Sequence, residues 1–170
     1  MNSFWKTASM VLALTFRVST FAVEPEQPVL DFTQKSMAGD NLRLEEYRGQ
    51  VVLINVRASW CGPCRQEMPV LQKIHQRYEP LGFTILRVNV DEVPEKPKKI
   101  ADRLTLDFPL LLDTDQTVSE AYSVNAMPFT VLVDRDGTER YVHRGYKPRD
   151  EAKYVDKLKP LLRRVAGVGS

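Results

Sequence analysis

The sequence holds only two cysteines and two histidines in 170 residues. Two cysteines exclude a disulfide-stapled module, in which several bridges close long loops. They also leave no second pair to complete a four-ligand zinc site, and nothing in the spacing brings His75 and His143 together. An excess of one charge is missing too. The formal net charge is +2, and Lys6 and Arg17 are the only charges before Glu24, so the chain from residue 23 onward is balanced. That balance gives no basic footprint for a nucleic acid. The longest uncharged, mostly apolar run near the N-terminus, Thr7 to Phe16, is half the length a spanning helix needs. Repeats, low-complexity tracts and interdomain linkers are absent, as is a lipobox cysteine.

What is present suits one soluble domain with a single core: 43% hydrophobic and 27% charged residues over an ordinary domain length. Residues 1–22 read as a cleavable export signal. Lys6 supplies a positive start, an apolar stretch follows, and Thr20-Phe21-Ala22 places small residues where a signal peptidase reads. Arg17 interrupts the pattern. The domain is therefore expected over residues 23–170, outside the cytoplasm, with no membrane span after cleavage.

Val51-Val52-Leu53-Ile54-Asn55-Val56 is a β-branched apolar run of the kind found in a central strand covered on both faces. Gly62-Pro63 opens a helix, where proline's missing N–H has no partner to lose. Met68, Leu71, Ile74 or His75, and Tyr78 recur at helical spacing, and Pro69 is expected to kink the helix. Phe83 to Val90 reads as a second central strand. A solvated charge run, Glu95 to Lys99, and a short helix ending near Leu106 follow. Phe108 to Leu112 is a brief extended piece, and Asp115 is placed to cap a helix running to Tyr122. Phe129 to Val133 is a strand, Asp136-Gly137 a hairpin turn, and Thr138 to Arg144 its return. Pro148 starts a last helix with a stripe of Tyr154, Leu158, Leu161, Leu162 and Val165, stopped by Gly167.

Trp60-Cys61-Gly62-Pro63-Cys64 therefore sits where a buried strand meets a helix. A thiolate is the reactive species, and unpaired N–H groups at a helix N-terminus favour it. Cys61, on the exposed side of the turn, is the expected nucleophile toward a disulfide. Cys64, one turn into the helix, is the shielded thiol that resolves the mixed disulfide. A Cys–His hydrolase fits less well, because the neighbouring thiol would capture the nucleophile.

With these residues in order, residues 28–165 resemble the thioredoxin superfamily, in its exported branch of thiol-disulfide oxidoreductases related to cytochrome c maturation. Val51 to Cys64 matches the strand, tryptophan and Cys-Gly-Pro-Cys motif, and Pro69 matches the helix proline. Val124-Asn125-Ala126-Met127-Pro128, the following strand and Asp134-Arg135-Asp136-Gly137 match the segment bearing the family's cis-proline. The resemblance implies an α/β thioredoxin fold: a central mixed β-sheet flanked by helices, an N-terminal strand extension and a helical insertion before the cis-proline segment. It implies a cis Met127–Pro128 bond, with Pro128 beside the Cys61 sulfur. Trp60, Gly62, Pro63 and the Met127 backbone would then meet an extended substrate.

Asn55 stands where cytosolic thioredoxins place a buried aspartate. Glu67 matches an acidic residue of some relatives. It is either a buried group that exchanges protons with Cys64 or a solvated first-turn glutamate favourable to the helix dipole. Arg57 departs from a usually aromatic position and is expected to snorkel to solvent; the alternative is a charge favouring the thiolate or an acidic partner. Phe129 replaces a glutamate common in cytochrome-maturation members. Asp134 to Gly137 shares the start of a calcium loop without its remaining ligands, and reads as a hairpin turn.

The expectation is a periplasmic disulfide reductase acting on disulfide or thiol proteins, fed by a membrane thiol-transfer donor. The Cys61–Cys64 disulfide serves as redox centre, with no other cofactor and no metal. An oxidase or isomerase on the same fold, or a copper(I)-binding module, are the alternatives.

Overall fold

The structure, a computed structural model, describes residues 27–93 and 107–164. The export signal, the run from Glu95 to Lys99, the short insertion helix ending near Leu106, Val165 and Gly167 lie outside the described residues.

The strands are β1 (Thr33–Ser36), β2 (Asn41–Arg43), β3 (Val51–Arg57), β4 (Phe83–Asn89), β5 (Leu110–Leu112), β6 (Phe129–Val133) and β7 (Glu139–Arg144). Three α-helices are described: α1 (Gly62–Tyr78), α2 (Thr117–Ala121) and α3 (Asp150–Arg163). One sheet runs in the order β2-β1-β5-β4-β3-β6-β7. The pairs β3–β4 and β4–β5 are parallel, and all others are antiparallel. This is the mixed sheet flanked by helices of a thioredoxin-like fold.

β3 lies between β4 and β6, and every one of its residues is buried. Its two faces feed two separate cores. Val52, Ile54 and Val56 pack with Leu86, Val88, Val118 and Tyr122 on one side. Val51 and Leu53 pack on the other beneath Leu71, Ile74 and Tyr78 of α1 and Tyr154, Leu158 and Leu161 of α3. That double coverage explains why β3 reads as an apolar run rather than an alternation.

α1 begins at the expected Gly62-Pro63 and continues past Pro69 to Tyr78. The β6–β7 hairpin turns at Gly137, whose φ of +74° is easily reached by glycine. Two local expectations need correction. α2 is capped mainly by Asp113: its carboxylate accepts from Val118 N at 2.9 Å and Ser119 N at 2.8 Å, whereas Asp115 engages Thr117 alone in the helix, its N at 3.3 Å and its side chain. The last helix begins at Asp150, two residues beyond Pro148.

Candidate active site

Sheet and helix meet at Cys61. β3 ends at Arg57, and the turn Ala58-Ser59-Trp60 delivers Cys61 to the start of α1. Charged and polar groups pin that turn. Asp91, just after β4, accepts from Ser59 N at 2.8 Å and Ser59 Oγ at 2.9 Å. The Ala58 carbonyl accepts both Cys61 N at 3.3 Å and the Arg57 guanidinium at 2.6 Å.

Cys61 and Cys64 are joined as a disulfide, and Cys64 N donates to Cys61 Sγ at 3.2 Å. The Cys61 sulfur thus occupies the capping position of α1, where backbone N–H groups and the helix dipole favour negative charge. Cys61 is 6% exposed and Cys64 1%, so the two differ in the expected order. Trp60 beside them is 67% exposed.

The Met127–Pro128 bond is cis, as the resemblance implied. Met127 packs against the Ala58, Cys61 and Cys64 cluster, and Pro128 is buried at the start of β6. Neither the N–H nor the carbonyl of Met127 has a hydrogen-bond partner among the described residues. Concavities of about 410 and 420 Å³ flank Trp60 and Met127. Cys61, Pro63 and Asn125 line the first; Asp91, Glu92 and Val93 line the second.

A buried polar cluster gathers around Glu67 on α1. Glu67 is fully buried, one helical turn after Cys64, which overturns its reading as a solvated first-turn residue. Asn55 Nδ2 donates to Glu67 Oε2 at 2.9 Å and to Thr130 Oγ1 at 3.1 Å, and Tyr154 OH donates to Glu67 Oε1 at 2.6 Å. Burial pushes the Glu67 carboxyl up to about 7, with the Tyr154 and Asn55 hydrogen bonds and the Arg57 and Arg87 charges opposing the rise. Burial, and then the neighbouring Glu67, push the Tyr154 phenol up in turn.

Arg57 is the second correction. It does not snorkel to solvent: it is 0% exposed, and Nη1 also reaches Met68 Sδ at 3.4 Å. A snorkelling arginine needs a nearby surface, and here β4, β6 and α1 enclose the end of β3. Arg87 on the neighbouring strand is equally buried, with no hydrogen-bond partner for its guanidinium among the described residues. Burial lowers the pKa of both arginines, and each lies within electrostatic reach of Glu67.

The expected residues Trp60, Cys61, Gly62, Pro63 and Met127 therefore line one surface, while Cys64 and Pro128 are buried and Asn55 bonds Glu67 in the core. Sequence reasoning did not single out Thr130, Tyr154 or Arg87 as part of this site. Tyr154 appeared only as a member of a helical apolar stripe. A hydroxyl on that stripe, in need of a buried partner, was its one signal.

Comparison with known proteins agrees with this geometry. The AhpC/TSA family matches residues 25–142. The chain belongs to that family. This AhpC/TSA protein is 34% identical over 131 residues to the thiol-disulfide oxidoreductase ResA of Geobacillus thermodenitrificans, covering 76% of this chain and 75% of the relative. It is 30% identical over 140 residues to the thioredoxin-like protein YneN of Bacillus subtilis, covering 81% of each. A Chlorobium tepidum crystal structure, provisionally assigned as the thiol:disulfide interchange protein DsbE, superposes with a TM-score of 0.77 at 28% identity. That match covers 81% of this chain and 96% of the other. The AhpC/TSA protein is accordingly a thiol-disulfide oxidoreductase of thioredoxin-like fold.

Proposed function

We propose that this protein reduces protein disulfides outside the cytoplasm, with Cys61 as nucleophile and Cys64 as resolving thiol. The observation that carries the reading is the Cys61 sulfur at the head of α1, beside the unpaired backbone of Met127. An extended substrate pairs with Met127 and presents its disulfide to the Cys61 thiolate. One substrate sulfur leaves with the electron pair, and a mixed disulfide forms. Cys64 then attacks Cys61, closes the internal disulfide and releases the second substrate thiol. Glu67 takes the Cys64 proton, its burial having placed its titration near neutrality.

A reductase ends each cycle oxidised and needs a donor. The export signal places the protein away from cytosolic reductants, so a membrane thiol-transfer protein is the donor. Gly-Pro between the cysteines favours the reducing direction, as in thioredoxins. No cofactor beyond the Cys61–Cys64 pair enters this cycle. No helix among the described residues is long and apolar enough to cross a membrane.

The experiment combines two cysteine variants with a redox titration. Cys61→Ser should abolish insulin reduction and Cys64→Ser should accumulate mixed disulfides. Full activity in Cys61→Ser would sink the assignment. A reduction potential of about −250 mV or below fits a reductase, and one between about −120 and −180 mV makes it an oxidase or isomerase. Stoichiometric copper binding that needs both cysteines, without disulfide turnover, would make it a binding module.

A further inference from the structure

The hydrogen bonds around Glu67 have a direction, and that direction constrains how the carboxyl can gain and lose a proton. An ionised carboxylate only accepts. Glu67 Oε2 accepts from Asn55 and Oε1 from Tyr154, so the arrangement as built suits the anion. Once protonated, the acid must donate. The Asn55 amide presents its nitrogen to Glu67, with both N–H groups committed to Glu67 and Thr130, so it could receive that hydrogen only by turning its oxygen over.

The other groups facing Glu67 are Arg57 on β3, Arg87 on β4, and Tyr146 and Tyr154 from the segment entering α3 and from α3 itself. The two guanidiniums have no lone pair to offer. The Tyr146 hydroxyl is engaged with Glu151 at 3.4 Å. Tyr154 can change role without moving its side chain. Its oxygen has free lone pairs, its O–H can rotate, and the Thr130 hydroxyl adjoins it as an alternative partner. Its ring is anchored in the core, 2% exposed, so the hydroxyl moves while the side chain stays.

We propose that Tyr154 is a positioning residue for proton transfer at the redox centre: its hydroxyl donates to ionised Glu67, then reverses to accept from protonated Glu67. This rests on the reading of Glu67 as the acceptor of the Cys64 proton. In the resolving step the Cys64 S–H bond breaks and its proton passes to Glu67. The Cys64 thiolate attacks Cys61, the Cys61–Cys64 bond forms, the Cys61–substrate bond breaks, and the substrate sulfur leaves with the electron pair. Tyr154 keeps the buried carboxyl satisfied before and after, so neither state strands a buried polar group.

The test is the rate of the resolving step against pH, in full-length protein. Reduced protein reacts with 5,5′-dithiobis(2-nitrobenzoate), and the second release of thionitrobenzoate reports Cys64 attack. Wild type should show an inflexion near neutrality that Glu67→Gln abolishes. Tyr154→Phe keeps the ring and removes the donor, which should move the inflexion alkaline by about half to one unit. The rate at pH 7 should fall by about two- to five-fold and recover at high pH. A packing defect would instead lower the rate equally at every pH. An unmoved inflexion in a folded Tyr154→Phe overturns the proposal. If that variant does not fold, Thr130→Val decides: it removes the partner the tyrosine hydroxyl needs when Glu67 is protonated, so the inflexion should move acid, and an unmoved inflexion overturns the proposal. An inflexion that survives Glu67→Gln overturns the Glu67 reading itself, whatever Tyr154 does.

Discussion

Glu67 is an ionisable group the fold would rather keep neutral, and that preference has a measurable sign. Its folded-state carboxyl titrates near 7 against an ordinary value of 4.5. The native state therefore holds the proton more tightly than the unfolded chain does. The stability this gives is complete below about pH 4.5 and is lost as pH rises through about 7. Glu67→Gln removes the ionisation without removing the shape. Its stability relative to wild type should be nearly constant below pH 4.5 and improve by about 3 kcal/mol between there and pH 8. Denaturant melts of the oxidised proteins at both ends of that range check this, and a pH-independent difference would contradict it. The position of Glu67, three residues after Cys64, was legible in the sequence; its burial was not. Burial of Glu67 and Arg57 depends on α1 and α3 closing over one face of β3, which no local pattern encodes. Tyr154 lies 87 residues from Glu67, so only the folded chain shows their contact. Cys61 and Cys64 were readable because the strand, turn and helix start that set their chemistry are adjacent residues, whereas Trp60 and Pro128 came from the resemblance of their segments.

At the scale of elements, the strands that carry the site were the easiest to read, since continuous burial leaves a continuous apolar run. Caps are harder, because several acidic residues compete within a few positions. The loop after β5 offers Asp113 and Asp115, and spacing alone favours the second. The fold chooses Asp113 because it is fully buried, and Gln34 of β1 donates to it at 3.0 Å. One carboxylate thus satisfies two helix N–H groups and ties α2 to the edge of the sheet. α2 leads directly into Val124 to Met127, the wall of the substrate-facing concavity. Asp113→Ala should cost about 2 kcal/mol through the lost cap and the stranded amide partners. Asp115→Ala, at an exposed position whose helix contacts are confined to Thr117, should cost less. Thermal melts of the two variants side by side test the assignment, and a larger loss from Asp115→Ala would reverse it.

The whole molecule is held at the end opposite the cysteines by a residue whose turn was legible but whose role was not. Asp134-Arg135-Asp136-Gly137 reads as a hairpin turn and is one, but the Arg135 side chain reaches well beyond it. Its guanidinium donates to Gly49 O at 2.6 Å, before β3, and to Leu81 O at 2.9 Å, after α1. It also donates to Leu162 O at 3.4 Å and Arg164 O at 3.2 Å, at the end of α3. A planar fork with five N–H donors can serve carbonyls in several directions, which a lysine ammonium does less well. The group therefore joins the start of the central strand to the ends of both helices covering the same sheet face. Arg135→Met should lower stability by about 1–2 kcal/mol, and Arg135→Lys should restore less than half of it. The reduction potential should stay unchanged in both, since the guanidinium touches neither the turn that pins Cys61 nor the Glu67 cluster. An unchanged denaturation midpoint in Arg135→Met would mean that these four carbonyls are equally well served by water. A shifted potential would mean instead that the far end of the sheet couples to the cysteines through α1.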